Sequence, residues 1–266
     1  MSSSVSAAQV LAAARSALPS IRGVIPLAVL LVFWQVIQSG PSPFFPAPSR
    51  WLGAIAAIPS TSLREAIAAT LASFVIGMGL ATFLGGALGI FVGYSDTARR
   101  ALNPVLEFMR ALPPPTIVPI AVLLIGYEES MKLTVITLSA LWPILLNAAS
   151  AVRSLNKLML DVSATLQLSN WQTIMKIVAP SAIPGILVGV RIAIPLALVV
   201  ALLVEMLTSI TGLGSLIIQA QRNFNAAQVY GLLVLIGILG FVFNLLFEII
   251  ESVVLLRWPP RVRHES

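Results

Sequence analysis

Few side chains in this chain are of a type that makes or breaks bonds, and their positions argue against catalysis. There is no cysteine, which removes thiol nucleophiles, disulfides and thiolate metal ligands. His264 is the only histidine and stands near the C-terminal end, so the body of the chain offers no material for a Ser-His or His-metal centre. Asp96 and Asp161 fall in polar connections, not as an intramembrane dyad, and no G-x-x-x-x-G-K-S/T phosphate loop is present. What remains is charge in apolar surroundings: Glu107 and Arg110 before a triple proline, and Glu205 near the end of an apolar run, in ALLVEMLTSITGLGS. Charge at membrane depth is expensive unless paired or hydrated, so each such residue marks a candidate pathway position. Arg110 and Glu205 are expected beside that pathway and paired across it; the competing reading puts each near an interface with its side chain snorkelling to water.

The elements that position these charges follow from composition. With 58% hydrophobic residues, 10% charged residues and a mean hydropathy of +0.97, the chain is read as an all-α polytopic membrane protein. A helical span takes about 20 apolar residues at about 1.5 Å each. Candidate spans lie near Ile21–Ile37, Ala66–Gly93, Val105–Ile125, Leu133–Ala149, Ile183–Leu207 and Val229–Leu256, six in all. The net charge of +6 is scattered beside these runs without a basic stripe, which argues against nucleic acid as a partner.

Lysine and arginine counts set the orientation, because cytoplasmic loops retain positive charge. One side carries Arg15, Arg22, Arg99, Arg100, Arg153, Lys157, Lys176, Arg257, Arg261 and Arg263, and the other only Arg50, Arg64, Lys132 and Arg222, so ten stand against four. Arg110 and Arg191 lie within or at the ends of spans and are not counted. Both termini are therefore expected in the cytoplasm. No A-x-A-like cleavage site follows the first run, so that run is read as an uncleaved span, with GPSPFFPAPS as an external loop and Phe44 and Phe45 at the membrane interface.

Small residues recur every fourth position in two spans: Gly77, Ala81, Gly85, Gly89 and Gly93, then Gly185, Gly189, Ala193, Ala197 and Ala201. Such stripes let helix backbones approach closely, inside one subunit or between two, and the internal reading is favoured for the first stripe. Pro113, Pro114 and Pro115 break the third run, with Pro119 soon after. Broken backbone at that depth has to face protein or a watery cavity, which suits a pathway; a kinked, well-packed helix is the alternative. Trp142 and Thr208 are further pathway candidates. TGLGS and the residues through Asn225 read as a re-entrant or interfacial turn, with Gly212 and Gly214 permitting tight backbone.

The polar stretch LMLDVSATLQLSNWQTIMKIVAPSAIP lies between the fourth and fifth runs, on the cytoplasmic side. Asp161 can cap one short helix and Ser169 a second, while Pro180 and Pro184 are expected to stop the chain before the fifth span. Leu166, Leu168, Trp171 and Ile174 give the insert an apolar surface suited to a partner's groove, or alternatively to the bilayer surface.

This stretch resembles the EAA signature of ABC-transporter permeases, E-A-A-x-x-x-G followed by I-x-L-P. Asp161, Val162 and Ser163 stand at the acidic and alanine positions, Gln167 at the glycine, and Ile177 through Pro180 at the I-x-L-P. The segments ALPPPTIVPIAVLLIGYEES, WPILLNAASAVRSL, WQTIMKIVAPSAIPGILVGVR and VEMLTSITGLGSLI, in that order, are similar to the nitrate/sulfonate/taurine-type importer permeases from Pro41 to Trp258. The resemblance implies a six-helix type I importer permease in the bacterial inner membrane, with a cytoplasmic arm at 1–20, a permease domain at 21–258 containing the coupling loop 154–182, and a tail at 259–266. It further implies a second permease copy, two cytoplasmic ATPase subunits that carry ATP and Mg, an extracytoplasmic solute-binding protein, and a small organic or inorganic anion as substrate. No cofactor or catalytic residue is then expected on this chain. The implied coupling residues are Asp161, Leu166, Gln167, Leu168, Ser169, Asn170, Trp171, Ile177 and Pro180, and Gln167 is expected to adopt the glycine position's geometry with difficulty. An ion-coupled secondary transporter or channel is the alternative function.

Overall fold

A computed structural model describes residues 21–38, 42 and 44–255, and among these every regular element is helical. The arm 1–20 with Arg15, and the tail 259–266 with His264, Arg261 and Arg263, lie outside the described residues, as does Arg257. The chain divides into two compact units, one formed by the residues up to Ala69 with those from Thr211 onward, the other by Thr70–Ile210.

The first unit holds α1 (Ile21–Ile37), a 3-10 turn (Pro48–Arg50), α2 (Trp51–Ala56) and the opening turns of α3 (Ser60–Tyr94). After the second unit come α10 (Leu213–Arg222) and α11 (Ala226–Leu255). An aromatic cluster organises it. Trp34 from α1 stands edge-on to Trp51 and Tyr230, with centroids 5.3 and 5.2 Å away, and Trp51 stacks on Tyr230 at 5.6 Å. The Trp51 indole N–H donates to the Pro46 carbonyl at 3.1 Å, and the Ser49 N–H donates to Gln35 Oε1 at 3.0 Å, so the proline-rich loop is fastened at both ends. Gly231 lets α11 close on α2: a Cβ there would lie 2.9 Å from the Trp51 carbonyl oxygen. Most of α11 is half-buried, and one stripe of it, with Leu233, Val234, Ile238, Phe241 and Leu246, is exposed.

In the second unit the hub is α6 (Glu129–Arg153), buried along most of its length between α3 and α9 (Ala179–Thr208). Both small-residue stripes meet it. A Cβ on Gly89 would lie 2.6 Å from Ala148 Cβ and from the Leu145 carbonyl, and one on Gly189 would lie 2.6 Å from Ile144 Cα. The stripes therefore serve packing within the chain, where backbone-to-backbone approach leaves no room for a side chain.

Among the described residues, four helical stretches are long and apolar enough to cross a membrane: Ser60–Tyr94, Glu129–Arg153, Asn170–Thr208 and Ala226–Leu255. A shorter apolar helix, Ile25–Ile37, answers to the first expected span. The third span differs from a kinked, packed helix. It consists of α4 (Asp96–Ala111) and α5 (Pro114–Ile125), bent by 99°. Its cause is local: Leu112 and Pro113 each precede a proline and both take extended ψ, 123° and 129°, so two consecutive residues leave the helical region. Gly126 ends α5 with φ 94°, in open space where only glycine is free of strain.

Two further expectations are corrected. Pro180 and Pro184 do not stop the chain, because the helix runs continuously through Asn170–Thr208. Pro180 is accommodated by one widened turn at Ile174–Val178, where the Ala179 N–H reaches back five residues to the Ile174 carbonyl, the geometry of a π-bulge. The tight backbone of the TGLGS stretch does not come from Gly214, which lies buried in α10; the left-handed residues are Ser209 (φ 56°) and Phe224 (φ 52°), at the ends of α9 and α10.

Candidate functional site

The connection from α6 to α9 is an elbow of two capped helices. Its first helix, α7 (Lys157–Thr165), starts from Asn156, whose side-chain oxygen accepts the Leu158 N–H at 3.0 Å. Asp161 is not the cap: it lies exposed in the middle of α7, since Asn156 already occupies the extended residue before the first turn. The C-terminal end closes with Leu168 N–H to Ser163 O at 3.0 Å and Gln167 N–H to Ala164 O at 3.0 Å. This is the paired bonding pattern that requires a left-handed residue after the helix, and Gln167 supplies it with φ 51°. The expected conflict between Gln167 and the glycine position is thus met by strain, not by a change of bend.

Ser169 then caps α8 (Asn170–Thr173) as expected. Its hydroxyl accepts the Gln172 N–H at 3.3 Å, while the Gln172 side-chain oxygen accepts the Ser169 N–H at 3.0 Å. The elbow has two faces. Inward, Ser163, Thr173 and Val178 are buried, and Val178 joins Val152 and Ala182 in an apolar cluster to which Leu155, Leu160 and Ile186 add. Outward, Leu166 is 65% and Trp171 69% exposed. Gln167, Ser169 and Asn170 are also exposed, whereas Leu168, Ile174, Ile177 and Pro180 are half-buried and support the bend from behind. The indole is thus held open on a doubly capped elbow whose geometry is fixed locally.

The pathway candidates are placed differently from expectation. Arg110 donates to Glu107 at 2.6 Å on the exposed side of α4, each side chain 57% exposed, and does not meet Glu205. Pro113 opens α5 as its extended N-cap, Pro114 and Pro115 fill its first turn, and the Thr116 hydroxyl returns to the Pro113 carbonyl at 2.7 Å. Trp142 is half-buried on α6, and the half-buried Thr208 bonds its own helix at the Val204 carbonyl, 2.7 Å away.

Glu205 is fully buried, and its partner is Lys132, also fully buried, at 2.9 Å. The Thr70 hydroxyl lies 2.9 and 3.1 Å from the two Glu205 carboxylate oxygens, so α3, α6 and α9 are joined through one carboxylate. Glu129 adds a longer contact to Lys132 at 3.8 Å. Lys132 is therefore not a loop charge, which leaves Arg50, Arg64 and Arg222 as the basic residues of that side. Sequence reasoning missed this pair, although a signal existed. Lys132 stands three residues inside the start of α6 and Glu205 three residues before the end of α9, positions that face each other when the two helices run antiparallel.

Broken helix, small-residue packing, a buried ion pair and a capped elbow between two long apolar helices are the features of a multi-span membrane protein. The chain belongs to the nitrate/sulfonate/taurine-type ABC-importer permeases, matching over residues 82–257 the family of binding-protein-dependent transport system inner membrane components. It is 30% identical to the nitrate import permease protein NrtB of Synechocystis sp., over 88% of this chain and 89% of that protein. Similarity to the taurine transport system permease protein TauC of Escherichia coli is 28% over 82% of this chain and 83% of that one. The fold is similar to that of the MetNI methionine ABC transporter in an inward-facing conformation, with a TM-score of 0.64 and 17% identity, covering 73% of this chain and 97% of the other. The protein is thus an all-α, multi-pass membrane permease subunit of a binding-protein-dependent importer.

Proposed function

We propose that two copies of this chain form the translocation pathway of an ATP-driven importer in the bacterial inner membrane, with both termini in the cytoplasm. Two ABC ATPase subunits, which carry the ATP and Mg, seat on the elbow Leu166–Trp171, and closure of the ATPase pair moves α9 through its foot at Asn170. An extracytoplasmic solute-binding protein delivers a small anion, in keeping with relatives named for nitrate, taurine and bicarbonate. The observation that carries this reading is the 69% exposed Trp171 on a segment whose opposite face is packed against the permease core. A bulky indole kept in water on a rigid support is the form an interface anchor takes.

Co-purification with the ATPase and binding-protein-stimulated ATP hydrolysis test the proposal. Trp171→Ala combined with Leu166→Asp is expected to lower the ATPase recovered with the permease by about tenfold or more. Unchanged recovery and unchanged stimulation would remove the elbow from the coupling role.

A further inference from the structure

The first unit contains a second preformed surface, remote in sequence from the elbow. Between the proline-rich loop and the turn joining α10 to α11 lies a cleft of about 350 Å³, lined by Ser42, Pro46, Arg50, Asn223, Phe224 and Asn225, with Ala226 and Ala227 at its base. No carboxylate lines it. Arg50 is exposed at the cleft and, among the described residues, forms no ion pair; Arg222, also exposed, immediately precedes Asn223.

Phe224 is the anomaly. It stands in the left-handed region with φ 52°, closing α10 by Asn225 N–H to Ala220 O at 2.9 Å and Phe224 N–H to Gln221 O at 3.0 Å. Glycine or asparagine fills that position at lower cost, and strain retained on a side chain points to a use for that side chain. The ring is not used for packing within this chain, since Phe224 is 80% exposed. Beneath it the support is stiff. The Trp34, Trp51 and Tyr230 rings lie in mutual contact, Trp51 holds the Pro46 carbonyl, and the Asn225 side chain accepts the Gln228 N–H at 3.1 Å. A projecting aromatic ring beside an arginine over a rigid base has the make-up of an interface hot spot.

We infer that this cleft is the docking point for an acidic side chain on a lobe of the solute-binding protein, with Arg50 as its counter-charge and Phe224 as the apolar anchor beside it. The inference rests on the proposed topology, which puts the loop after the first span and the α10–α11 turn on the extracytoplasmic side. Its commitment to a protein partner with an acidic contact comes from the charge of the lining and from the family's dependence on a binding protein.

Two measurements, one in intact cells and one on the complete importer in lipid nanodiscs, separate the inference from the topology beneath it. Because the chain has no cysteine, Asn223→Cys is a single reporter, and labelling in intact cells by a membrane-impermeant maleimide is expected. Labelling only after the cytoplasmic face is opened would overturn the topology. The second measurement is ATP hydrolysis as a function of the concentration of the importer's own purified, substrate-loaded binding protein. Arg50→Glu and Phe224→Ser are each expected to raise the half-saturating concentration by about tenfold, to leave basal hydrolysis unchanged and, for Arg50→Glu, to flatten its salt dependence. With the cysteine labelled from outside, half-saturation within twofold of the parent for both variants would overturn the docking point. So would a change confined to the dependence of basal hydrolysis on anionic lipid, which would mark the cleft as a headgroup site.

Discussion

Lys132 and Glu205 form a fully buried ion pair whose two members have very different value alone and together. Desolvating two charges offsets most of their attraction, so the pair adds little net stability, but removing one member leaves the other uncompensated at a cost of roughly 3–5 kcal/mol. Lys132→Met is therefore expected to lower the thermal stability of the purified permease sharply, and adding Glu205→Leu to recover most of the loss; a double variant as unstable as the single one would contradict the pairing. The sequence displayed both charges plainly but not their relation. Glu205 was recognisable as a charge at membrane depth, yet its partner is fixed by which helices are neighbours and by their register, neither of which hydropathy records. Arg110 was legible in the same way, and its contact proved to be the helical neighbour Glu107, three residues back, at 2.6 Å.

At the scale of elements, apolar runs announced the spans because a membrane tolerates little else, and the four-residue small stripes announced where backbones meet. Gly89 offers the clearest check, with Ala148 Cβ and the Leu145 carbonyl both 2.6 Å from where its Cβ would stand. Gly89→Leu is expected to separate α3 from α6 and cost about 1–3 kcal/mol or more, read as reduced yield and a lower melting temperature. An equivalent change at Gly79, which has nothing within 4 Å, should be mild in the same assay. Proline was the element-level signal that misled. Three consecutive prolines go with a 99° bend at Pro113–Pro115, whereas the single Pro180 goes with only a widened turn. The difference lies in surroundings: Val178 and Ala182 are fully buried against Val152, and that packing holds the helix on course through the proline, whereas Leu112 and Pro113 are both forced extended.

For the whole molecule, the uncovered surface is as informative as the core. The last described helix, Ala226–Leu255, exposes an apolar stripe from Leu233 through Ile238, Phe241 and Leu246 to Ile250, and Leu123 and Leu124 on α5 are 86% and 80% exposed. Such surfaces are suited to lipid, and the proposed second copy would cover part of them. Native mass spectrometry of the detergent-extracted importer is expected to return two permease chains of 28.2 kDa per complex with two ATPase subunits, and a single permease chain per complex would contradict the paired arrangement. The elbow between α6 and α9 was recognisable from its residue pattern, but its construction was not. Asn156 instead of Asp161 as the first cap, and a strained Gln167 instead of a relaxed hinge, depend on backbone angles that no residue type dictates.

The continuity of the helix from Asn170 to Thr208 has a mechanical corollary. Trp171 and Glu205 belong to one rod and stand about 50 Å apart along it, at about 1.5 Å per residue. A tilt of only about 5° pivoting near the Trp171 end would swing the far end by about 4 Å, more than the length of the hydrogen bond that Thr70 makes to Glu205 there. The widened turn at Ile174–Val178 is a compliant point in that rod, as are the interruptions at Pro184 and Pro195, so their stiffness sets how much of a displacement at one end arrives at the other as leverage and how much is absorbed on the way.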